Sequence, residues 1–111
     1  MAKNPTPQLR GRVASVLRAM GDPHRLEILY LLRQKAARVK DLVELLGSSQ
    51  ANVSKHLTVL KQAGLTDFRQ EGVSRYYYIT DAAVLSICDA VCDSVERRHE
   101  AEKAIFDGSQ S

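Results

Sequence analysis

The 111-residue chain is 44% hydrophobic and 26% charged, an ordinary globular balance that excludes global disorder. Sixteen Lys and Arg against thirteen Asp and Glu leave a net charge of +3, a mild bias toward a polyanionic partner. No apolar run approaches the roughly 20 residues that cross a bilayer, the residues after Met1 lack a secretion signal's apolar stretch, and two cysteines make no disulfide framework, so a cytoplasmic protein without membrane contact is expected.

The length suits one domain, expected over residues 8–106, with 1–7 and 107–111 as flexible termini. Aromatic residues are 5% of the chain and Trp is absent, so the core must be aliphatic and mostly helical. Val13, Val16, Leu17 and Met20 recur at helical spacing before Gly21, which predicts a first helix over 8–20. Asp22-Pro23 starts a second helix, because the carboxylate can cap unpaired N–H groups and Pro tolerates the first helical position. Leu26, Ile28, Leu29, Leu31 and Leu32 make this helix apolar around much of its circumference, as a central core helix should be, to about Gln34. A third, two-turn helix follows Val39 and is closed by Gly47. Ser48 or Ser49 then caps a fourth, whose buried face is Val53, Leu57, Val59 and Leu60 and whose end is Ala63-Gly64. Two β-rich runs, 65–70 and 73–80, flank Glu71-Gly72 and read as a hairpin tipped by those two residues. Asp81 is the expected cap of a last, long amphipathic helix carrying Val84, Leu85, Cys88, Val91, Cys92 and Val95. The fold class is therefore mostly α with a small β-hairpin, a winged helix-turn-helix in the order α-α-α-α-β-β-α.

A short helix, a Gly-Ser-Ser turn and a second helix over 41–60 have the spacing of a helix-turn-helix unit, whose second helix enters the major groove of duplex DNA. That helix opens Ser49-Gln50-Ala51-Asn52-Val53-Ser54-Lys55-His56. Gln50 and Asn52 can bond an adenine edge twice, Ala51 can touch a thymine methyl, and Ser54, Lys55 and His56 can reach bases or phosphates. The helix N-terminus near Ser48 and Ser49 favours a phosphate, and Arg69 and Arg75 flank the hairpin tip as backbone or minor-groove contacts. Glu71 opposes them. No Gly-rich phosphate loop or Ser/His/Asp arrangement is present, and a redox dithiol would more often stand as Cys-x-x-Cys in a βαβ setting, so no enzyme activity is expected.

The runs Leu17-Arg18-Ala19-Met20-Gly21-Asp22-Pro23-His24-Arg25-Leu26-Glu27-Ile28-Leu29, Leu46-Gly47-Ser48-Ser49-Gln50-Ala51-Asn52-Val53-Ser54-Lys55-His56-Leu57 and Leu60-Lys61-Gln62-Ala63-Gly64-Leu65 resemble the ArsR/SmtB family of winged-helix repressors, a likeness covering residues 17–86. The resemblance implies a homodimer in which first and last helices pair with those of the other subunit, with Val13, Val16, Leu17, Leu85, Val91 and Val95 in the interface. It implies a pseudo-palindromic double-stranded operator, half-sites about one helical turn apart, and release by an inducer, often a metal ion. The thiolate pair of arsenic, cadmium or lead sensors falls on Arg38 and Lys40, which are not ligands. The zinc-sensor ligands of the last helix fall on Ala82, Val84, Val95 and Arg98, and the second-helix cysteine of sulfur sensors on Tyr30.

Cys88 and Cys92 lie about one turn apart on one helix face, a pair suited to As(III), another thiophilic metal ion or an oxidant. Two thiolates do not complete a tetrahedral site, so a second copy would have to supply further ligands. Cysteine is equally a small hydrophobe of apolar interfaces, which leaves open a regulator of the same type with no metal site, or a winged-helix protein-interaction module. His24 and His56 are read as structural or DNA-contacting groups rather than ligands.

Overall fold

A computed structural model of the chain describes residues 4–107. Residues 1–3 and 108–111, which make up most of the expected flexible ends, lie outside the described residues. The chain divides into two units, the first ending at Asp81 and the second beginning at Ala82.

In the first unit, α1 (Pro7–Met20) starts one residue before the expected position, because Thr6 caps it: its hydroxyl accepts the Leu9 N–H at 3.2 Å, with Pro7 in the first turn. Asp22 caps α2 (Pro23–Gln34), accepting the N–H groups of His24 and Arg25 at 2.9 and 3.1 Å. At α3 (Val39–Leu46), the Asp41 carboxylate accepts the Arg38 backbone N–H and, with its two oxygens, the Nε and Nη2 of the Arg38 guanidinium. That pairing holds Asp41 below the usual carboxylate range, and it commits Arg38, one of the two positions on which the resemblance would set a thiolate pair, to structure. Gly47 then ends α3 at a φ of +64°, a left-handed conformation that glycine adopts without a Cβ clash. Ser49 caps α4 (Gln50–Gln62), accepting the Asn52 N–H at 3.1 Å.

The hairpin pairs β1 (Thr66–Glu71) with β2 (Ser74–Ile79) antiparallel, from Thr66 opposite Ile79 to Glu71 opposite Ser74. Glu71 is therefore a paired strand residue, and the tip is Gly72-Val73 rather than Glu71-Gly72. A two-residue turn with Gly at its first central position, here at a φ of +65°, matches the twist of the strands, so the register selects Gly72 for that place. The wing is anchored at its base by Ala37, whose N–H donates to the Tyr77 carbonyl at 3.0 Å and whose carbonyl accepts the Tyr77 N–H at 2.8 Å.

Ile28 and Leu29 of α2, Leu42 of α3 and Val53, Leu57 and Leu60 of α4 form the core, each side chain sealed from solvent. Burying one Leu or Ile is worth about 1.5–3 kcal/mol relative to leaving it exposed, so these few residues carry much of a marginal stability. Thr66 is buried with them, and its hydroxyl has no hydrogen-bond partner among the described residues. Removing an unsatisfied buried hydroxyl while keeping the side-chain shape recovers its desolvation cost, so Thr66→Val is expected to raise the unfolding free energy by about 1 kcal/mol. A urea midpoint that falls instead would show that the hydroxyl is satisfied by a bound water.

The second unit is a 3-10 turn (Ala82–Val84) followed by α5 (Leu85–Phe106). The intervening turn shifts the helix start downstream, so α5 begins after Val84, whose own side chain makes no cap, rather than directly after Asp81. Among the described residues no helix is long and apolar enough to cross a membrane.

Candidate nucleic-acid interface

The candidate interface is built on α4. Val53, His56, Leu57 and Leu60 are buried, and at about 3.6 residues per turn the opposite line of the helix runs through Ala51, Lys55 and Thr58, all exposed. Gln50 is exposed in the first turn beside this line, and Ser54 is half-buried on its flank. Thr58 was not among the residues expected from the sequence, although its place one turn beyond Ser54 and Lys55 marks it; its hydroxyl donates to the Ser54 carbonyl at 3.0 Å.

The turn into α4 uses side chains that sequence alone suggested for DNA. The Asn52 carboxamide donates to the Ser48 hydroxyl at 2.8 Å, while the Ser49 hydroxyl accepts the Asn52 backbone N–H. Ser48, Ser49 and Asn52 thus brace the helix-turn-helix corner, and Asn52 is half-buried. Gln50, Ala51 and Lys55 remain the outward-facing members of the expected set.

His56 is a correction. It was expected to reach bases or phosphates, yet it is only 6% exposed and faces the start of α2, where Arg25 places a guanidinium nitrogen 3.2 Å from its Nδ1. Its ring stacks on His24 with centroids 5.4 Å apart. Burial pushes its pKa below the ordinary histidine value, with Asp22 opposing and Arg25 assisting. Its position at the edge of the apolar stripe was legible from helical period, but its partners come from a distant stretch of chain.

The two wing arginines lie on opposite faces of the hairpin. Arg69 pairs across the strands with Tyr76, whereas Arg75 pairs with Gln70, and neighbouring positions along a strand point to opposite sides. Arg69 ion-pairs with Glu71 and lies over the Tyr76 ring; Arg75 lies over the Phe68 ring, 4.1 Å from its centroid. Glu71 therefore neutralises Arg69 in place and leaves Arg75 as the wing cation without a carboxylate beside it in the ion pairs observed.

Two apolar stripes remain, one on α1 and one on α5. In α1, Leu9, Val13 and Leu17 follow one another at four-residue spacing and are 44–50% exposed, while Val16 is half-buried. In α5, Ile87, Val91 and Val95 share that spacing and are 46–56% exposed; Leu9 extends the expected α1 set by one turn, and Ile87 joins the expected α5 set between Leu85 and Val91. Leu85 is fully buried, so it does not belong to an exposed stripe as expected. Cys88 is buried, Cys92 is exposed, and the two form no disulfide.

The profile described as bacterial regulatory protein, arsR family, matches residues 22–67, which hold α2, the helix-turn-helix pair and the start of the wing. The chain is 38% identical over 81 residues to an uncharacterised HTH-type transcriptional regulator of Methanocaldococcus jannaschii, covering 72% of this chain and 91% of that protein. It is 35% identical over 78 residues to a cadmium resistance transcriptional regulatory protein, a CadC homolog of Staphylococcus aureus, covering 69% of this chain and 64% of the other. Its fold matches the solution structure of a homodimeric winged helix-turn-helix DNA-binding domain of Mycobacterium bovis with a TM-score of 0.76 at 30% identity, over 91% of this chain and 95% of that one. With its helix-turn-helix pair, its wing and these relatives, the chain belongs to the arsR family of bacterial regulatory proteins and is a DNA-binding transcriptional regulator rather than an enzyme.

Proposed function

We propose that this regulator is a repressor, that residues 8–106 act as one DNA-binding and dimerisation domain, and that two copies bind a pseudo-palindromic operator and leave it when an inducer binds. The observation that carries the reading is the exposed line of Ala51, Lys55 and Thr58 beside Gln50, set opposite a sealed apolar face on the second helix of a helix-turn-helix pair. In this reading Gln50 and Ala51 meet base edges, Lys55 and Ser54 meet bases or phosphates, and Arg75 meets the backbone beside the groove. Ser48, Ser49 and Asn52 act by setting the angle at which the helix enters. The N-terminal amides of α4 add a phosphate contact.

Dimerisation is supported by the two stripes, Leu9-Val13-Leu17 and Ile87-Val91-Val95, which are more contiguous apolar surface than a lone chain exposes, and by the homodimeric Mycobacterium bovis relative. A symmetric pair would set two α4 helices about one turn of DNA apart. Acting on chromosomal DNA, the protein would work in the cytoplasm.

The inducer we propose is a thiophilic metal or metalloid such as As(III), held by Cys92 and Cys88 together with ligands from a second copy. Support comes from the four-residue spacing on α5, the exposure of Cys92 and the cadmium resistance regulator among the relatives. Burial of Cys88 favours a second reading, in which the pair is apolar packing and the regulator carries no thiolate site.

Fluorescence anisotropy on a duplex from the protein's own promoter tests both levels. Affinity is expected to fall about 10³-fold between about 50 and 200 mM salt if six or more phosphates are contacted, and salt-independent or absent binding would remove the operator reading. Arsenite, cadmium or peroxide is expected to release the duplex from the wild type and not from a Cys88→Ser/Cys92→Ser variant. Release that survives the double substitution, or no release at all, leaves the packing reading.

A further inference from the structure

On the inner side of α4, away from the reading face, the fold brings together three groups that lie far apart in sequence. Asp22 stands at the start of α2, His24 follows in its first turn, and His56 comes from the middle of α4. One ligand atom from each lies within 4.8 Å of the others. The Nδ1 atoms of His24 and His56 approach the same carboxylate oxygen, Asp22 Oδ2, at 3.8 and 4.0 Å, and the two rings are nearly parallel, 14° apart. A tetrahedral metal bound to nitrogen and oxygen at about 2.0–2.2 Å sets its donors about 3.3–3.5 Å from one another, so modest closure suffices. The side chain that must move furthest is His24, which is exposed and not held by the core.

We propose that Asp22, His24 and His56 form a binding site for a divalent first-row transition metal such as zinc, cobalt or nickel, with water completing the coordination. Two imidazoles and one carboxylate are the donor set those ions accept, and they differ in kind from the thiolates of α5, so this site is independent of Cys88 and Cys92. The immediate surroundings supply both a hold and a competitor. Asp22 is kept in place by the two α2 amides it caps. Arg25 directs one nitrogen at the His56 Nδ1 while its Nε donates to the Ala19 carbonyl at 2.6 Å. A metal at that lone pair must push the guanidinium arm aside, so Arg25 and the ion compete for one position. Once bound, the ion ties the N-terminus of α2 to the helix that carries the reading face, which His56 reaches from inside.

The test uses the full chain carrying Cys88→Ser and Cys92→Ser, so that thiolates cannot contribute. Zinc and cobalt are titrated against a chromophoric chelator, and thermal unfolding is followed with and without zinc. One metal per chain, a visible cobalt band of a tetrahedral nitrogen and oxygen site, and a raised Tm with zinc are expected. Adding His24→Ala or Asp22→Asn should weaken binding by at least about tenfold to a hundredfold, the scale of losing even a ligand's supporting partner, and should remove most of the Tm rise. Both variants are chosen to fold: His24 is exposed, and Asn caps a helix about as well as Asp. Arg25→Gln should instead tighten binding, an effect that a purely structural network would not produce. The proposal is overturned if the thiol-free chain takes up no metal, or if His24→Ala and Asp22→Asn bind it as tightly as their parent.

Discussion

Leu57→Ala is expected to lower the unfolding free energy by about 2–5 kcal/mol, a large part of the roughly 5–15 kcal/mol that a small domain has. Leu57 is fully buried in α4, one turn from Val53 and close along the helix to Leu60, where α4 packs on α2, α3 and β1. Truncation of a side chain sealed in a helix that packs on several elements leaves a cavity that they cannot all close on. The proposed reading residues lie on the other side of the helix, so at low temperature, where the folded form still dominates, duplex affinity per folded molecule should change little. On warming, operator binding and far-UV circular dichroism should be lost together at a lower Tm. A loss below about 1 kcal/mol in urea unfolding would mean that this face of α4 is not the packed core described.

The second large effect concerns how the duplex is read. Gln50→Ala is expected to cost about 1–3 kcal/mol of base discrimination in each half-site and to relax preference at one position. Arg75→Ala should weaken all duplexes alike and reduce the salt slope by about one for each wing engaged. Arg69→Ala should do much less, since Glu71 already neutralises that guanidinium. Gln50 is a cleaner probe than Asn52, whose loss would also unbrace the turn at Ser48. Measuring each variant on operator and scrambled duplexes over a salt series separates the effects. Sequence-selective loss at Arg75, or uniform loss at Gln50, would reverse the assignment of reading and positioning roles.

The helices were legible in the residues because their signals are local. Asp22-Pro23, Ser49 and Gly47 start or stop helices through hydrogen bonds and backbone angles that involve only near neighbours, and the apolar period of Val53, Leu57 and Leu60 names the buried face of α4 directly. The motif likeness across α2 to β1 needs no coordinates either, and it named the same family as the comparisons. Local reasoning slipped where two local choices compete. Glu71-Gly72 and Gly72-Val73 are both acceptable tips, and the pairing of Glu71 with Ser74 decides between them. That one-residue register then determines that Arg69 and Arg75 face opposite ways. At the start of α5 a 3-10 turn stands between Asp81 and the helix it was expected to open directly.

Composition, caps and period alone therefore establish a helix-turn-helix with a wing and the sealed face of its second helix. Tertiary structure decided which polar side chains on that helix are spoken for. His56 sits at a border of the apolar stripe where period cannot choose between solvent and core, and it turns inward because Asp22, His24 and Arg25 meet it there from another helix. Asn52 lies one turn before it at the same border and is held by Ser48. Burial at such borders depends on partners distant in sequence, and only the folded chain brings those partners within hydrogen-bond reach.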